Sequence, residues 1–187
     1  MPEPILAYAK INARIMPMDR GERYEDPLID ALEANGYANV TGAGTMQSDN
    51  GEIDFCGIDI DLIDIAKGVP FICETLTKLG APKGSQLEYE VDGKPTQVPF
   101  GKNEGLAIYL NGTDLPDQVY AECDVNDLFA EVNRLLGEEG SIQGHWQGPT
   151  ETALYLYGPS AEKMRSLIAN HLATYPLCQK ARVVQIA

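Results

Sequence analysis

The sequence predicts an α+β fold in which one β-α-β-β-α-β order is used twice, with antiparallel sheets and helices on one face of each. Three observations predict it. Residues 42–62 read as two strands joined by a turn at Asp49-Asn50-Gly51, and Asn-Gly between alternating residues is a strong hairpin signal. Residues 141–157 form a looser echo of that hairpin. Each hairpin follows one expected helix and precedes another.

The first half can be justified element by element. Ile5, Ala7, Ala9, Ile11, Ala13 and Ile15 fall on one face of an alternating stretch over 5–16. Period two is the mark of a strand with one buried side. The charged stretch Met16–Asp26 reads as a loop, with Asp26 capping a helix and Pro27 in its first turn. Leu28, Ile29 and Leu32 supply that helix's apolar stripe, and Gly36 ends it. In the hairpin's second strand Ile53 and Phe55 share one parity, whereas Ile58, Ile60 and Leu62 share the other. A glycine inside a strand often marks a bulge, so a bulge is expected at Cys56-Gly57, with Asp59 and Asp61 on the opposite face. Gly42-Ala43-Gly44 lacks the Lys-Ser/Thr of a phosphate loop and precedes no helix, so it reads as strand. A helix over 69–79 is ended by Gly80 and Pro82, and a strand comes next over 86–91. Asp92-Gly93 signals a turn into a short added strand over 96–100.

The second half repeats the order. Residues 94–105 are rich in Gly, Pro and polar side chains and read as the connection. The expected units are therefore 1–98, with its appended hairpin, and 99–187. Leu106, Ile108 and Leu110 alternate as a strand, and 111–123 reads as a loop. Asp124 caps a helix with the stripe Val125, Leu128, Val132, Leu135 and Leu136, ended by Gly137. Ser160 caps the last helix, with Met164, Leu167 and Ile168 inward, and a strand closes the chain over 181–186. This order resembles duplicated ferredoxin-like proteins, a broad class that includes amino-acid-binding regulatory domains and dimeric α+β barrels. The resemblance spans nearly the whole chain, as topology. It implies strand order 4-1-3-2 and one bare sheet face in each half, and it assigns no functional residue.

Composition narrows the function classes. The net charge of −14 is the opposite of the basic footprint that nucleic acid requires, so no nucleic-acid partner is expected. A hydrophobic share of 44% is enough for a packed core. No apolar run of about 18 residues occurs, and Met1-Pro2-Glu3-Pro4 does not open a secretory signal. A cytoplasmic chain without a membrane partner is the expectation. Cys56, Cys73, Cys123 and Cys178 form no Cys-x-x-Cys pair and are expected reduced. No cofactor is implied, and the oligomeric state stays open.

Four groups of residues are candidates for chemistry. On the first sheet, strand order 4-1-3-2 places Lys10 and Arg14 between Asp59 and Asp61 on one side and Glu88 and Glu90 on the other. The aspartates could hold a hard cation and Arg14 an anionic ligand; cross-strand charge pairing explains the same pattern. On the second sheet, His145, with Gln143 and Gln147, is expected beside Tyr109, Tyr155 and Tyr157 on the bare face. That set suits a small-ligand pocket with a proton-transfer imidazole, or packing between the halves. A Cys-His pair could be drawn from His145 or His171 with Cys56, Cys123 or Cys178. The loops 16–26 and 111–123 are ordinary binding positions, with Arg20, Arg23 and the backbone near Pro27 available to an anion. Two functions are compatible with these residues: a non-enzymatic binding or regulatory protein holding a protein or small molecule, or a small-molecule enzyme with its site around His145.

Overall fold

A computed structural model describes residues 3–187. The chain divides into two compact units, residues 3–48 with 53–102, and residues 49–52 with 103–187. Both are α+β and ferredoxin-like, and the second sheet has the strand order 2-3-1-4 of that motif.

In the first unit, β1 (Ile5–Ile11), β2 (Ala38–Gln47), β3 (Ile53–Leu62), β4 (Ser85–Val91) and β5 (Lys94–Phe100) make an antiparallel sheet in the order β2-β3-β1-β4-β5. Ala7, Ala9 and Ile11 of β1, Cys56, Ile58, Ile60 and Leu62 of β3, and Leu87 of β4 are all buried. Side chains alternate across a strand, so these share the helix-covered face with Leu28, Leu32, Ile72 and Leu76 of the helices.

The expected loop over 16–26 is helix instead. α1 (Pro17–Arg20), a π-helical turn (Gly21–Glu25) and α2 (Asp26–Glu33) run on without a break in helical backbone angles. Pro17, not Pro27, occupies the first turn, and Asp26 sits inside the helix rather than capping it. Burial decides this. Tyr24 is buried four residues before Leu28, which is four before Leu32, so the charged turn is held by one inward aromatic. β1 ends at Ile11 rather than near residue 16, although Ala13 and Ile15 stay buried. α3 (Ile65–Lys78) starts four residues before the expected Val69, because the Asp64 carboxylate accepts from the Lys67 N–H at 3.1 Å. β5 occupies most of the stretch expected to connect the halves.

The bulge lies elsewhere than Cys56-Gly57. Those residues pair in unbroken register with Lys10 and Ile11 on one side and with Gly44 and Thr45 on the other. Register shifts instead between Val40 and Gly42, and again between Met46 and Gln47, which face Phe55 and Ile53. Asp54 is the extra residue, so Ile53 turns into the core while Phe55 stays on the outer face under Lys10 Nζ, 4.3 Å from the ring centroid.

In the second unit, β6 (Glu104–Asn111), β7 (Ser141–Gln147), β8 (Glu151–Gly158) and β9 (Arg182–Gln185) form an antiparallel sheet in the order β7-β8-β6-β9. α4 (Asp117–Glu122) lies in the stretch expected as loop. α5 (Val125–Leu136) and α6 (Ala161–Thr174) are capped by Asp124 and Ser160, as expected. Leu106, Ile108, Leu154 and Leu156 of the sheet pack with Leu128, Val132 and Leu136 of α5 and with Met164 and Ile168 of α6. β7 carries a bulge of its own, because register shifts between Ile142 and Gly144.

Candidate functional site

The bulge at Gln143 separates the residues expected to converge. Ile142 faces Leu156, Gly144 faces Tyr155 and His145 faces Leu154. A one-residue slip moves every later side chain to the other sheet face. His145 and Gln147 therefore join Leu154 and Thr152 on the helix-facing side. Tyr155 and Tyr157 share the opposite side with Tyr109, whose neighbour Ala153 also faces Trp146. The grouping of His145 with the three tyrosines is thus corrected.

Tyr109, Tyr155 and Tyr157 are buried. The Tyr109 and Tyr155 hydroxyls both donate to Glu52 Oε1, at 2.6 and 2.7 Å. Glu52 comes from the turn segment that belongs to this unit. Opposite Tyr157 stands Gly105, where a Cβ would lie 2.8 Å from the ring. The glycine gives the ring its room. Arg182 covers the Tyr109 ring at 4.6 Å and also binds the Glu151 carboxylate. This face is a satisfied, packed cluster. Neither Glu52 nor Trp146 was singled out by sequence reasoning, and nothing in the pattern around residue 52 points to distant phenols.

His145 lines a cavity of about 720 Å³ on the other side of the sheet. Its floor is the helix-facing row Leu110, Thr152, Leu154 and Gln147, and Leu177 closes one side. Its opposite wall is the start of α5, through Val125, Asn126 and Phe129. The opening has a packing cause. α5 fills the core through Leu128, Val132 and Leu136, while Val125 and Phe129 beside that stripe remain 38% and 39% exposed. The strands run on past the helix start into Thr152 and Gln147, leaving a gap between sheet and helix. The His145 imidazole is exposed and makes no hydrogen bond among the described residues. Tyr120 is committed, donating to Asn111 O and accepting from Leu115 N–H at 3.0 Å. The usable signal in the sequence was the pair Val125 and Phe129, apolar residues four apart beside the buried α5 row of Leu128, Val132 and Leu136.

The charged face of the first sheet is also rearranged. Tyr8, rather than Lys10 or Arg14, stands between Asp59 and Glu88. Its ring lies over Gly57, where a Cβ would fall 1.8 Å from the hydroxyl. Burial, and then the Asp59 carboxylate, push the Tyr8 phenol above its ordinary pKa. Leu6 faces Asp61. Arg14 lies beyond the end of β1 and shares no register with the aspartates. Among the described residues, no three His, Cys, Asp or Glu side chains are grouped to hold a metal ion.

The remaining candidates are placed as follows. Cys56 belongs to the first unit and both histidines to the second. The buried Cys56 thiol donates toward Ala13 O at 3.3 Å, and burial raises its pKa. Burial also pushes Cys178 up to about 11. His171 stacks on Tyr175 at 5.2 Å. Arg20 is committed to Thr45 Oγ1 at 2.7 Å and to Glu25. The backbone near Pro27 is inside a continuous helix, so it offers no free N-terminus to an anion.

No family model matches the chain, and no curated protein is significantly similar to it. Several solved structures are similar over most of their length. One is an unknown protein from Galdieria sulphuraria, 13% identical, with 98% of this chain and 96% of that one covered and a TM-score of 0.28. A "Putative monooxygenase" from Fusobacterium nucleatum is 8% identical, with 98% and 91% covered and a TM-score of 0.32. Another, from Lactobacillus acidophilus, is 14% identical, with 100% and 95% covered and a TM-score of 0.28. Likenesses this distant supply no argument about what this chain does. No helix among the described residues is long and apolar enough to cross a membrane.

Proposed function

We propose that this chain is a small-molecule-binding protein whose second unit holds its ligand between the start of α5 and the β7–β8 end of the sheet. One observation carries this reading. A cavity of about 720 Å³ has half-exposed apolar walls at Val125 and Phe129 and an unengaged imidazole at His145. That volume lies in the range of ligand sites, which pair apolar walls with a few polar groups. The reading keeps the binding function expected from sequence but moves it from the sheet face expected to be bare to the helix side.

A fragment screen by amide chemical-shift perturbation tests it. Binding fragments should shift the backbone signals of Phe129, His145 and Thr152 together. A screen whose hits all map elsewhere refutes the proposal. The presence of His145 in the wall favours a second reading, in which the cavity is catalytic. Each fragment that binds is then followed over time with wild type and His145→Ala. Consumption lost in the variant while binding persists would replace the binding reading with the enzymatic one.

A further inference from the structure

We infer that the ligand of this cavity is an uncharged amphipathic molecule, with an apolar body against Phe129 and Leu154 and a neutral hydrogen-bonding group toward His145 and Thr152. The inference rests on the cavity being a binding site. It comes from the charges of the wall. Among the described residues Glu151 is the one acidic residue of the lining, and no lysine or arginine lines it. That carboxylate is already met by Arg182, whose Nη2 donates to both of its oxygens at 2.9 Å. Glu151 pairs with Asn111 and meets Arg182 on the tyrosine face of the sheet, so an entering cation finds no carboxylate turned toward it. An entering anion would leave water for a wall without a permanent cation, in a chain of net charge −14. Taking an unpaired charge out of water is heavily unfavourable. A neutral molecule avoids both costs. It still gains from the apolar area at Val125, Phe129, Leu154 and Leu177, and its polar group can engage His145, Gln147 or Thr152. Gln147 and Thr152 face each other across β7 and β8.

Three probes of one shape and different charge test this: 2-naphthalenemethanol, 2-naphthoate and 2-naphthylmethylammonium. Each is titrated into the full chain, and binding is read from the amides of Phe129, His145 and Thr152. The alcohol should bind at these amides at least tenfold more tightly than either ion. If an ion binds there as tightly as the alcohol, or the alcohol does not bind there, the neutral class is overturned. Phe129→Lys then separates the two levels of the argument. It places a cation in the exposed part of the wall, so naphthoate should become the best of the three at His145 and Thr152. Naphthoate binding in that variant retains the cavity as a site whatever the wild type prefers. No response of the variant or the wild type to any probe overturns both the cavity reading and the inference.

Discussion

Replacing Tyr155 by Phe should destabilise the second unit by about 1.5–3 kcal/mol, the ordinary worth of a hydrogen bond to a charged group. Tyr155 is fully buried, and its hydroxyl lies 2.7 Å from Glu52 Oε1. Tyr109 donates to the same oxygen at 2.6 Å, so Tyr109→Phe should cost a similar amount. Glu52→Leu is the harsher test. It removes both hydrogen bonds to the carboxylate at once, each worth roughly 1.5–3 kcal/mol, giving about 3–6 kcal/mol together. Glu52→Gln keeps a carbonyl oxygen for both phenols and should cost less than Glu52→Leu. The assay is urea unfolding followed by tryptophan fluorescence. The chain has 1 tryptophan, Trp146, on β7 of this unit, so the signal reports this sheet alone. Trp146 reports from the same sheet face as the tyrosines. A loss below about 0.5 kcal/mol in Glu52→Leu, which is within the range of ordinary surface changes, would refute the reasoning.

Further outcomes are expected. Gly101→Ala should destabilise the first unit by roughly 2 kcal/mol or more, seen as a lowered melting temperature by circular dichroism, because its φ is +89° and a Cβ would lie 2.0 Å from Pro82 O. Asp124→Ala should cost about 1 kcal/mol in the urea assay, the usual worth of an N-cap, since its carboxylate accepts from Asn126 N–H at 2.8 Å. Burial raises Cys73 and Cys178 from 9.0 to about 11 and also raises Cys56. At pH 8 iodoacetamide should therefore label these three slowly in the folded chain and readily in urea, as counted by mass spectrometry. The same shifts carry a stability consequence. The folded state holds these protons more tightly than the unfolded state, so their contribution is complete below pH 9 and is lost as pH rises toward 11. Urea midpoints that do not fall between pH 8.5 and 10.5 would contradict it.

Much of the fold is legible in the chain itself. Period-two alternation over Ile5–Ile11 and Leu106–Leu110, the Asn50-Gly51 turn, and caps at Asp124 and Ser160 act through the local backbone, so a one-dimensional pattern reveals them. The charged run after Met16 misled for a physical reason: one buried tyrosine, Tyr24, outweighs its loop-like composition. The candidate site was legible only in pieces. His145 does line the cavity, but the tyrosines expected beside it lie on the other side of the sheet.

By itself the sequence determined that two β-α-β-β-α-β units would form, because alternation, helix stripes and caps are properties of neighbours in the chain. The tertiary structure decided which side chains meet. Register is set by pairing between strands, and one extra residue, Gln143 in β7 or Asp54 in β3, reverses the facing of the residues beyond it. Pairing across strands gave His145 a cavity beneath α5, brought Tyr109 and Tyr155 to one carboxylate, and left Tyr8, instead of Lys10 and Arg14, between Asp59 and Glu88.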